Sequence, residues 1–316
     1  MLSNLMFCLN ATVPLFALMI LGYWFVRIGL LKEATLDNIN TFVFKVSLPV
    51  MVFLDLAQTN FFEVWDGKYV AYCFLATLAS VIIASLMSKL FDKNIRGEFA
   101  QAAYRSSAAI LGVGFIESIY GTSAMAPLMM IGTVPLYNVM AVLILMLTKP
   151  GTEGDKFDSA RFKKTIIDVI KNPIILGIII GVLWSVLGLP MPTMAYKTCK
   201  YISNTATPLG LIVIGGSFDY KKAFNLVKPA FLATFMKLIG WGLMYMPIAI
   251  ALGFRDDKLI AALIMMGSPT TVTSFVMAKN MGHDGTLSAS VVMLACAFCI
   301  FTLTGWLFVL RTLGYV

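Results

Sequence analysis

The sequence Gly267-Ser-Pro-Thr-Thr-Val-Thr-Ser274 lies in the middle of a hydrophobic segment long enough to cross a bilayer. Proline lacks a backbone donor and collides with the carbonyl four residues earlier, so we expect the helix to kink or break near Met265 to Ser268. Five hydroxyl side chains surround this break, at Ser268, Thr270, Thr271, Thr273 and Ser274. The stretch predicts either a discontinuous helix that lines a site or a kinked helix whose hydroxyls bond back to its own carbonyls.

The composition indicates an integral membrane protein. The chain of 316 residues is 59% hydrophobic and 13% charged, whereas a soluble domain carries about a quarter charged residues. Its net charge of +8 comes from basic residues in short loops between apolar runs, a pattern that reflects membrane orientation and not nucleic-acid binding. The single histidine, His283, excludes a multi-histidine metal site and is expected on the surface of an inner loop. No phosphate-binding loop or nucleophile–base pair appears, so we expect neither a cofactor nor enzymatic activity.

Ten hydrophobic segments approach the length of about 20 residues that a membrane span requires. They lie near residues 8–30, 36–57, 69–91, 97–120, 123–148, 172–189, 196–217, 229–253, 257–280 and 286–311. The longest polar stretch, residues 149–171, predicts a cytoplasmic linker between two five-helix halves, residues 1–148 and 172–316. The expected fold is therefore all-α, with ten transmembrane helices.

The basic residues predict the orientation in the cytoplasmic membrane. With the N-terminus outside, fifteen of the 24 lysines and arginines flank the inner ends of the spans, and six flank the outer ends. The other three, Lys45, Arg105 and Lys237, fall within spans. Both termini of this multi-pass protein are therefore predicted outside.

The two halves repeat at a nearly constant offset. The recurring pairs are Pro14 and Pro173, Gly22 and Gly181, and Pro49 and Pro208, each 159 residues apart, with Ser107 and Ser268, 161 apart. Because each half has an odd number of spans, the second half enters the membrane inverted. Inverted repeats with broken helices near the midplane are typical of alternating-access carriers. The repeat therefore favours the site interpretation of the broken ninth segment.

In their order along the chain, these motifs resemble the auxin efflux carrier family, including its bacterial malate- and malonate-permease-like members. The resemblance covers almost the whole chain and is carried by Tyr104-Arg-Ser-Ser107, Thr207-Pro-Leu209, Gly215-Gly-Ser217 and Ser268-Pro-Thr270, among others. It implies ten spans in a 5+5 inverted repeat, crossed discontinuous helices four and nine, and transport of organic anions. Ser107 stands where the family often has asparagine, so we do not carry over the identity of the substrate.

The candidate binding residues gather at the two breaks and at polar positions within spans. Arg105 offers a fixed, forked cation that suits a carboxylate, or else it snorkels to lipid phosphates. Gly112 and Gly114 can provide a flexible break, while Lys45 and Lys237 are expected to snorkel. The predicted substrate-binding set is Arg105, Ser106, Ser107, Gly112, Gly114, Asn138, Gly267, Ser268, Pro269, Thr270 and Thr271.

The coupling ion is left open between a proton and sodium. Asp55 and Glu117, near the outer ends of spans two and four, are candidates for either ion, or line an outer vestibule or pair with lysines. The sequence thus predicts a secondary transporter of a small mono- or dicarboxylate within the lipid bilayer. The alternatives are a sodium-coupled symporter of another solute with a bile-acid-symporter-like fold, and a membrane sensor. The oligomeric state is left open, with a homodimer as one possibility because dimers are common among carriers of this architecture.

Overall fold

The computed structural model describes residues 2–58, 66–107, 116, 119, 126–150 and 167–316. Every regular element in these residues is a helix, which confirms the predicted all-α class. The first half contains α1 (Leu2–Arg27), α2 (Glu33–Phe42), α3 (Leu48–Ala57), α4 (Gly67–Met87), α5 (Arg96–Tyr104) and α6 (Ala126–Leu147). The second half contains α7 (Pro173–Val186), α8 (Thr193–Asn204), α9 (Ala206–Gly216), α10 (Tyr220–Asn225), α11 (Val227–Phe235), α12 (Trp241–Ala251), α13 (Asp256–Gly267), α14 (Thr273–Asn280) and α15 (Thr286–Thr312).

Two pairs of helices continue into each other through π-helical turns, in which the backbone hydrogen bonds widen by one residue. The turn Val43–Ser47 joins α2 to α3, and the turn Met236–Gly240 joins α11 to α12. Lys45 and Lys237 lie in these two turns.

Five helical stretches of the described chain are long and apolar enough to cross a membrane. They are Glu33–Ala57, Gly67–Leu90, Leu128–Leu147, Val227–Ala251 and Thr286–Thr312, with shorter apolar helices at Thr12–Arg27 and Pro173–Val186. Large apolar side chains on the outside of these helices are more than half exposed, as at Ile20, Leu75 and Phe301. Such exposure suits hydrocarbon instead of water, so the chain is a multi-pass membrane protein.

The short helices α5 and α13 occupy the centre of the molecule. All residues from Gly97 to Tyr104 in α5 and from Leu259 to Gly267 in α13 are buried. A helix that is buried on every side is surrounded by protein instead of lipid. The ends of these two helices are therefore places where non-helical backbone can exist at membrane depth.

A buried carboxylate fixes the start of α5 against α15. Glu98 is 1% exposed, and its two oxygens accept hydrogen bonds from the backbone amides of Gly285 and Ser288, both at 2.9 Å. These amides belong to the open N-terminal end of α15, which favours a negative charge. This contact fixes the position of the helix that leads to Arg105.

The outer helices pack closely in two crossed pairs, α1 with α9 and α3 with α7. Glycines permit both contacts: Gly22 lies against the carbonyl of Ile212, and Gly181 against that of Phe53. Between the pairs, the hydroxyls of Ser47 and Thr205 are hydrogen-bonded at 2.7 Å. Close backbone approach at small residues is the usual way in which membrane helices associate.

Candidate functional site

At the centre of the molecule, the extended segments that follow two buried helices meet. Helix α5 ends at Tyr104, and Arg105 adopts an extended conformation with φ −69° and ψ 140°. Helix α13 ends at Gly267, Ser268 is extended with φ −74° and ψ 158°, and helix begins again at Thr273. The Ser107 amide donates a hydrogen bond of 3.0 Å to the Pro269 carbonyl. The predicted break at the proline is confirmed, and it touches the end of the fourth segment.

Each helix end receives hydrogen bonds from side chains of another segment. At the end of α5, Thr270 Oγ1 donates to the carbonyl of Ala102 and Trp241 Nε1 to that of Ala103, both at 2.7 Å. The last carbonyls of a helix lack partners within it, and leaving them unpaired in an apolar interior is costly. These contacts explain how the chain stops being helical here without exposing backbone to lipid.

The end of α13 is satisfied in the same way by Ser106 and Lys237. Ser106 Oγ donates to the Met265 carbonyl, and Lys237 Nζ to the carbonyls of Met266 at 2.7 Å and Met265 at 3.3 Å. The hydroxyls around the break therefore form hydrogen bonds both with another segment and within their own segment. Thr270 bonds to α5, whereas Ser274 Oγ bonds to the nearby Thr271 carbonyl at 2.8 Å.

Arg105 is a buried cation at the junction of the two segments. It is 1% exposed, so the snorkelling alternative is wrong. Its Nη2 donates to Asn138 Oδ1 at 2.8 Å, its Nη1 approaches Met277 Sδ at 2.7 Å, and the guanidinium stacks 5.3 Å from the Tyr137 ring centre. Within the part of the chain that the structure describes, its Nε has no hydrogen-bond partner. Because both acceptors are neutral, these contacts orient the charge without cancelling it.

A small polar cavity opens beside the guanidinium. It is lined by Met51, Val52, Asp55, Arg105, Ser106, Ser107, Val134, Tyr137, Asn138, Thr271 and Thr273. The space open to the centres of water molecules is about 30 Å³, enough for one or two waters. The space is lined by a fixed cation, the Asp55 carboxylate, an amide and several hydroxyls, of which the cation, the amide and the hydroxyls can bind an anion through charge-assisted hydrogen bonds.

The structure brings together only part of the predicted binding set. Arg105, Ser106, Ser107, Asn138 and Thr271 line the cavity, as does Asp55 of the predicted coupling pair. Gly267, Ser268, Pro269 and Thr270 form the break behind these residues, and the buried Ser268 hydroxyl has no hydrogen-bond partner among the described residues. Gly112, Gly114 and Glu117 lie outside the described residues. The helix of the fourth segment already ends at Tyr104, eight residues before the first of these glycines.

Two expectations about polar residues are wrong. Lys237 does not snorkel, since it is fully buried and bonded to the end of α13. His283 is not a surface residue: it is 4% exposed, and its Nε2 lies 2.9 Å from the Leu145 carbonyl. Lys45, in contrast, is exposed on its helix.

Sequence reasoning also missed Tyr137 and Thr273 as lining residues. Tyr137 directly precedes Asn138, and an aromatic side chain next to a polar intramembrane residue is a weak sign of a cation-stacking partner. Thr273 belongs to the hydroxyl cluster of the break, where its position at the start of α14 turns it towards the cavity.

A membrane protein with a cation-bearing cavity between two broken, buried helices has the structural features of a secondary carrier. A family model described as "Membrane transport protein" matches residues 7–307. The chain therefore belongs to this family of membrane transporters, the auxin efflux carrier family. The predicted resemblance is confirmed.

Individual relatives are similar to the chain over nearly their whole length. An "Uncharacterized transporter" of Methanothermobacter thermautotrophicus is 22% identical over 95% of this chain and 98% of its own. "Uncharacterized transporter YfdV" of Escherichia coli K12 is 20% identical over 97% and 99%. A protein of Rhizobium meliloti named "Putative malonate transporter" is 19% identical over 95% of both chains.

Proposed function

We propose that this membrane transporter carries a small organic anion, a mono- or dicarboxylate such as malonate or malate, across the cytoplasmic membrane by alternating access. The observation that carries the proposal is the buried guanidinium of Arg105 in the cavity where the two broken helices meet. A buried charge at membrane depth is costly and usually functional. Here its hydrogen-bonded neighbours, Asn138 and Met277, are neutral.

The chemistry of the cavity suits a carboxylate. Arg105 supplies a permanent positive charge with a forked donor, while Ser106, Ser107 and Thr271 supply adaptable hydroxyls. Asn138 holds the guanidinium on one side and is itself fixed by a 2.9 Å bond from Nδ2 to the Val134 carbonyl. The relative named for malonate agrees with a small carboxylate substrate.

The contacts between the outer helices support an inverted repeat of five plus five spans. The offset of 159 residues maps Gly22 onto Gly181 and Phe53 onto Ile212. The contact of Gly22 with the Ile212 carbonyl therefore corresponds to that of Gly181 with the Phe53 carbonyl. Such reciprocity is expected of two halves related by a pseudo-twofold axis in the membrane plane.

The small size of the cavity supports a mechanism in which the site changes shape. Space for one or two waters does not accommodate a dicarboxylate, so binding requires the helices around α5 and α13 to separate. In a carrier with an inverted repeat, separation on one side and then on the other exposes the same site to each compartment. The distribution of basic residues supports an orientation with both termini outside.

Transport by the purified protein in proteoliposomes tests this proposal. Uptake of labelled malate, malonate and indole acetate is measured with imposed proton or sodium gradients and with protein-free vesicles as the blank. We expect uptake of at least one of these acids, and failure of every acid under every gradient would refute the proposal. Uptake of a carboxylate only with a sodium gradient would instead favour the sodium-coupled alternative.

Two arginine variants test whether transport depends on the cavity. Arg105→Gln is expected to lower uptake about tenfold or more, since it removes a charge-assisted hydrogen bond. Arg96→Gln is the matched control because Arg96 donates to the Phe91 and Lys89 carbonyls outside the cavity. Equal uptake by both variants would show that the substrate does not bind at Arg105.

A further inference from the structure

The C-terminal end of α13 carries a cation that belongs to the protein. Lys237 is fully buried, and its Nζ lies 2.7 Å from the Met266 carbonyl and 3.3 Å from the Met265 carbonyl. Met265 O also accepts from Ser106 Oγ. The end of a helix concentrates partial negative charge on its last carbonyls, which favours a cation there.

The end of α5 is built differently. Its carbonyls at Ala102 and Ala103 accept from the hydroxyl of Thr270 and the indole of Trp241, which are neutral donors. Both helix ends need hydrogen-bond donors, and two neutral side chains meet this need at α5. Lys237 meets the same need at α13, where it donates to the Met266 carbonyl, and unlike those neutral donors it brings a positive charge to a position where burial makes a charge expensive.

The π-helical turn Met236–Gly240 explains how the lysine reaches this position. The turn interrupts the helical stretch Val227–Ala251 at Lys237, and such single turns often occur at functional sites. The same stretch packs against α5, α13 and α15 through this turn. The side chain therefore points into the centre of the molecule, although the stretch as a whole is an apolar span.

In sodium-coupled carriers with broken helices, the coupling ion is bound by unwound carbonyls and half-helix C-terminal ends. We propose that Lys237 occupies this cation position as a tethered charge, so that the carrier binds no sodium at the end of α13 and transports its anion without sodium. This inference rests on the proposed function. Lys237 is then a positioning residue: it stabilises the end of α13 as a bound ion would.

Thermal unfolding of the purified protein tests the cation position without measuring transport. Midpoints are compared in sodium, potassium and choline chloride at equal ionic strength. We expect the wild-type midpoint to be the same in all three salts. Lys237→Ala should unfold several degrees lower in choline, and sodium or potassium should raise its midpoint by about 2 °C or more, because a small cation can then reach the vacated carbonyls.

The matched control is Lys45→Ala, which removes an exposed lysine from the other π-helical turn and should unfold independently of the salt. If Lys237→Ala does not fold, Lys237→Ser, whose short side chain also leaves these carbonyls without the lysine amine, is measured instead. Sodium-specific stabilisation of the wild type would overturn the proposal, as would a folded variant that no small cation stabilises.

Transport provides the second readout. Uptake of the anion by the wild type should be equal with sodium chloride and with choline chloride on both sides of the membrane, and sodium dependence would contradict the proposal. If no organic acid is transported at all, the proposed function fails, whereas the unfolding experiment still decides whether Lys237 holds the cation position.

Discussion

At the scale of single residues, the site depends on how Arg105 is kept charged and oriented. Asn138 accepts a hydrogen bond from the guanidinium through Oδ1 and anchors itself through Nδ2 on Val134. An aspartate at this position would keep the acceptor but bring a negative charge to within 2.8 Å of the arginine, where Asn138 Oδ1 now lies. The guanidinium would then be neutralised by the protein before an anion could reach it.

We therefore predict that Asn138→Asp lowers anion uptake about tenfold or more while leaving the unfolding midpoint within about 2 °C of the wild type. Uptake in proteoliposomes and thermal unfolding measure the two effects. Asn280→Asp is the control, since Asn280 makes a similar bond of 2.9 Å to its own helix at Val276 and is not among the cavity-lining residues. Normal uptake by Asn138→Asp would show that Arg105 does not bind the substrate.

The residues at the break could be predicted because intramembrane charge, proline and clustered hydroxyls are rare in spans. Arg105, Ser107 and Thr271 stand out for this reason, and the structure places all three at one cavity. Lys237 could not be placed because its direction depends on the π-helical turn Met236–Gly240, and no pattern of hydrophobic residues indicates that turn. His283 looked exposed because it follows a glycine in a short loop, yet that loop folds against Leu145.

At the scale of helices, the break of one segment is stabilised by side chains of the other. Thr270 Oγ1, in the break after α13, donates to the Ala102 carbonyl at the end of α5. Thr270→Val keeps the shape of the side chain but leaves this buried carbonyl without its donor. We predict a loss of about 1 kcal/mol in unfolding free energy, seen as a midpoint lower by about 2–4 °C.

The control for this change is Thr312→Val, in which the lost hydroxyl is exposed and bonds to its own helix at Phe308. We expect its midpoint to differ from the wild type by less than about 1 °C. If Thr270→Val unfolds like the control, the contact between the two broken helices contributes little to stability. A fall in midpoint with unchanged uptake would assign Thr270 a structural role only.

A second inter-helix contact lies outside the apolar spans and predicts a pH dependence. Lys258 Nζ, in the first turn of α13, lies 2.7 Å from Asp66 Oδ2 at the start of α4. The hydrogen bond from Lys258 lowers the pKa of Asp66. A carboxylate with a folded-state pKa below its unfolded value stabilises the fold above about pH 4, and this contribution is lost as the pH falls through the folded-state pKa.

We predict that Asp66→Asn lowers the unfolding midpoint by about 1–2 °C at pH 7, a small effect because the pair is partly exposed, and that the difference shrinks as the pH is lowered below about 4. Asparagine can still accept the N-cap hydrogen bond from the Tyr69 amide, which is 3.0 Å long with aspartate, since it caps helices as well as aspartate does. Asp92→Asn, at an exposed cap on Asn94, should show no such pH-dependent difference. A midpoint difference that does not shrink as the pH is lowered below about 4 would mean that charge is not its cause.

At the scale of the whole molecule, the sequence repeat relates individual positions in the two halves of the chain, which a list of spans does not do. An offset of 159 residues related Pro14, Gly22 and Pro49 to the second half before any contact was known. The ten-span count itself stays a prediction: five described stretches satisfy length and apolarity, and the split at Thr205 and the breaks after Tyr104 and Gly267 divide other segments into shorter pieces. Hydrophobicity indicates where the membrane is, but it does not show where a helix stops inside it.

The crossed pairs α1–α9 and α3–α7 provide the last test, because they depend on glycine at equivalent positions of the two halves. A Cβ atom at Gly181 would lie 2.9 Å from the Phe53 carbonyl oxygen, and one at Gly22 would lie closer still to that of Ile212. Backbone atoms cannot swing aside as a side chain can, so Gly22→Ala must push the helices apart. We predict a midpoint lower by at least about 2–4 °C for Gly22→Ala and a smaller decrease for Gly181→Ala.

Gly305→Ala in α15 is the matched control, since nothing lies within 4 Å of the position that its methyl group would take, and alanine favours a helix over glycine by about 1 kcal/mol. Its midpoint should be equal to that of the wild type or higher. If the helix pairs separate during transport, Gly22→Ala and Gly181→Ala should alter uptake in the same direction, because each loosens one of two equivalent contacts. Opposite effects on uptake, or stability equal to that of Gly305→Ala, would contradict the equivalence of the two halves.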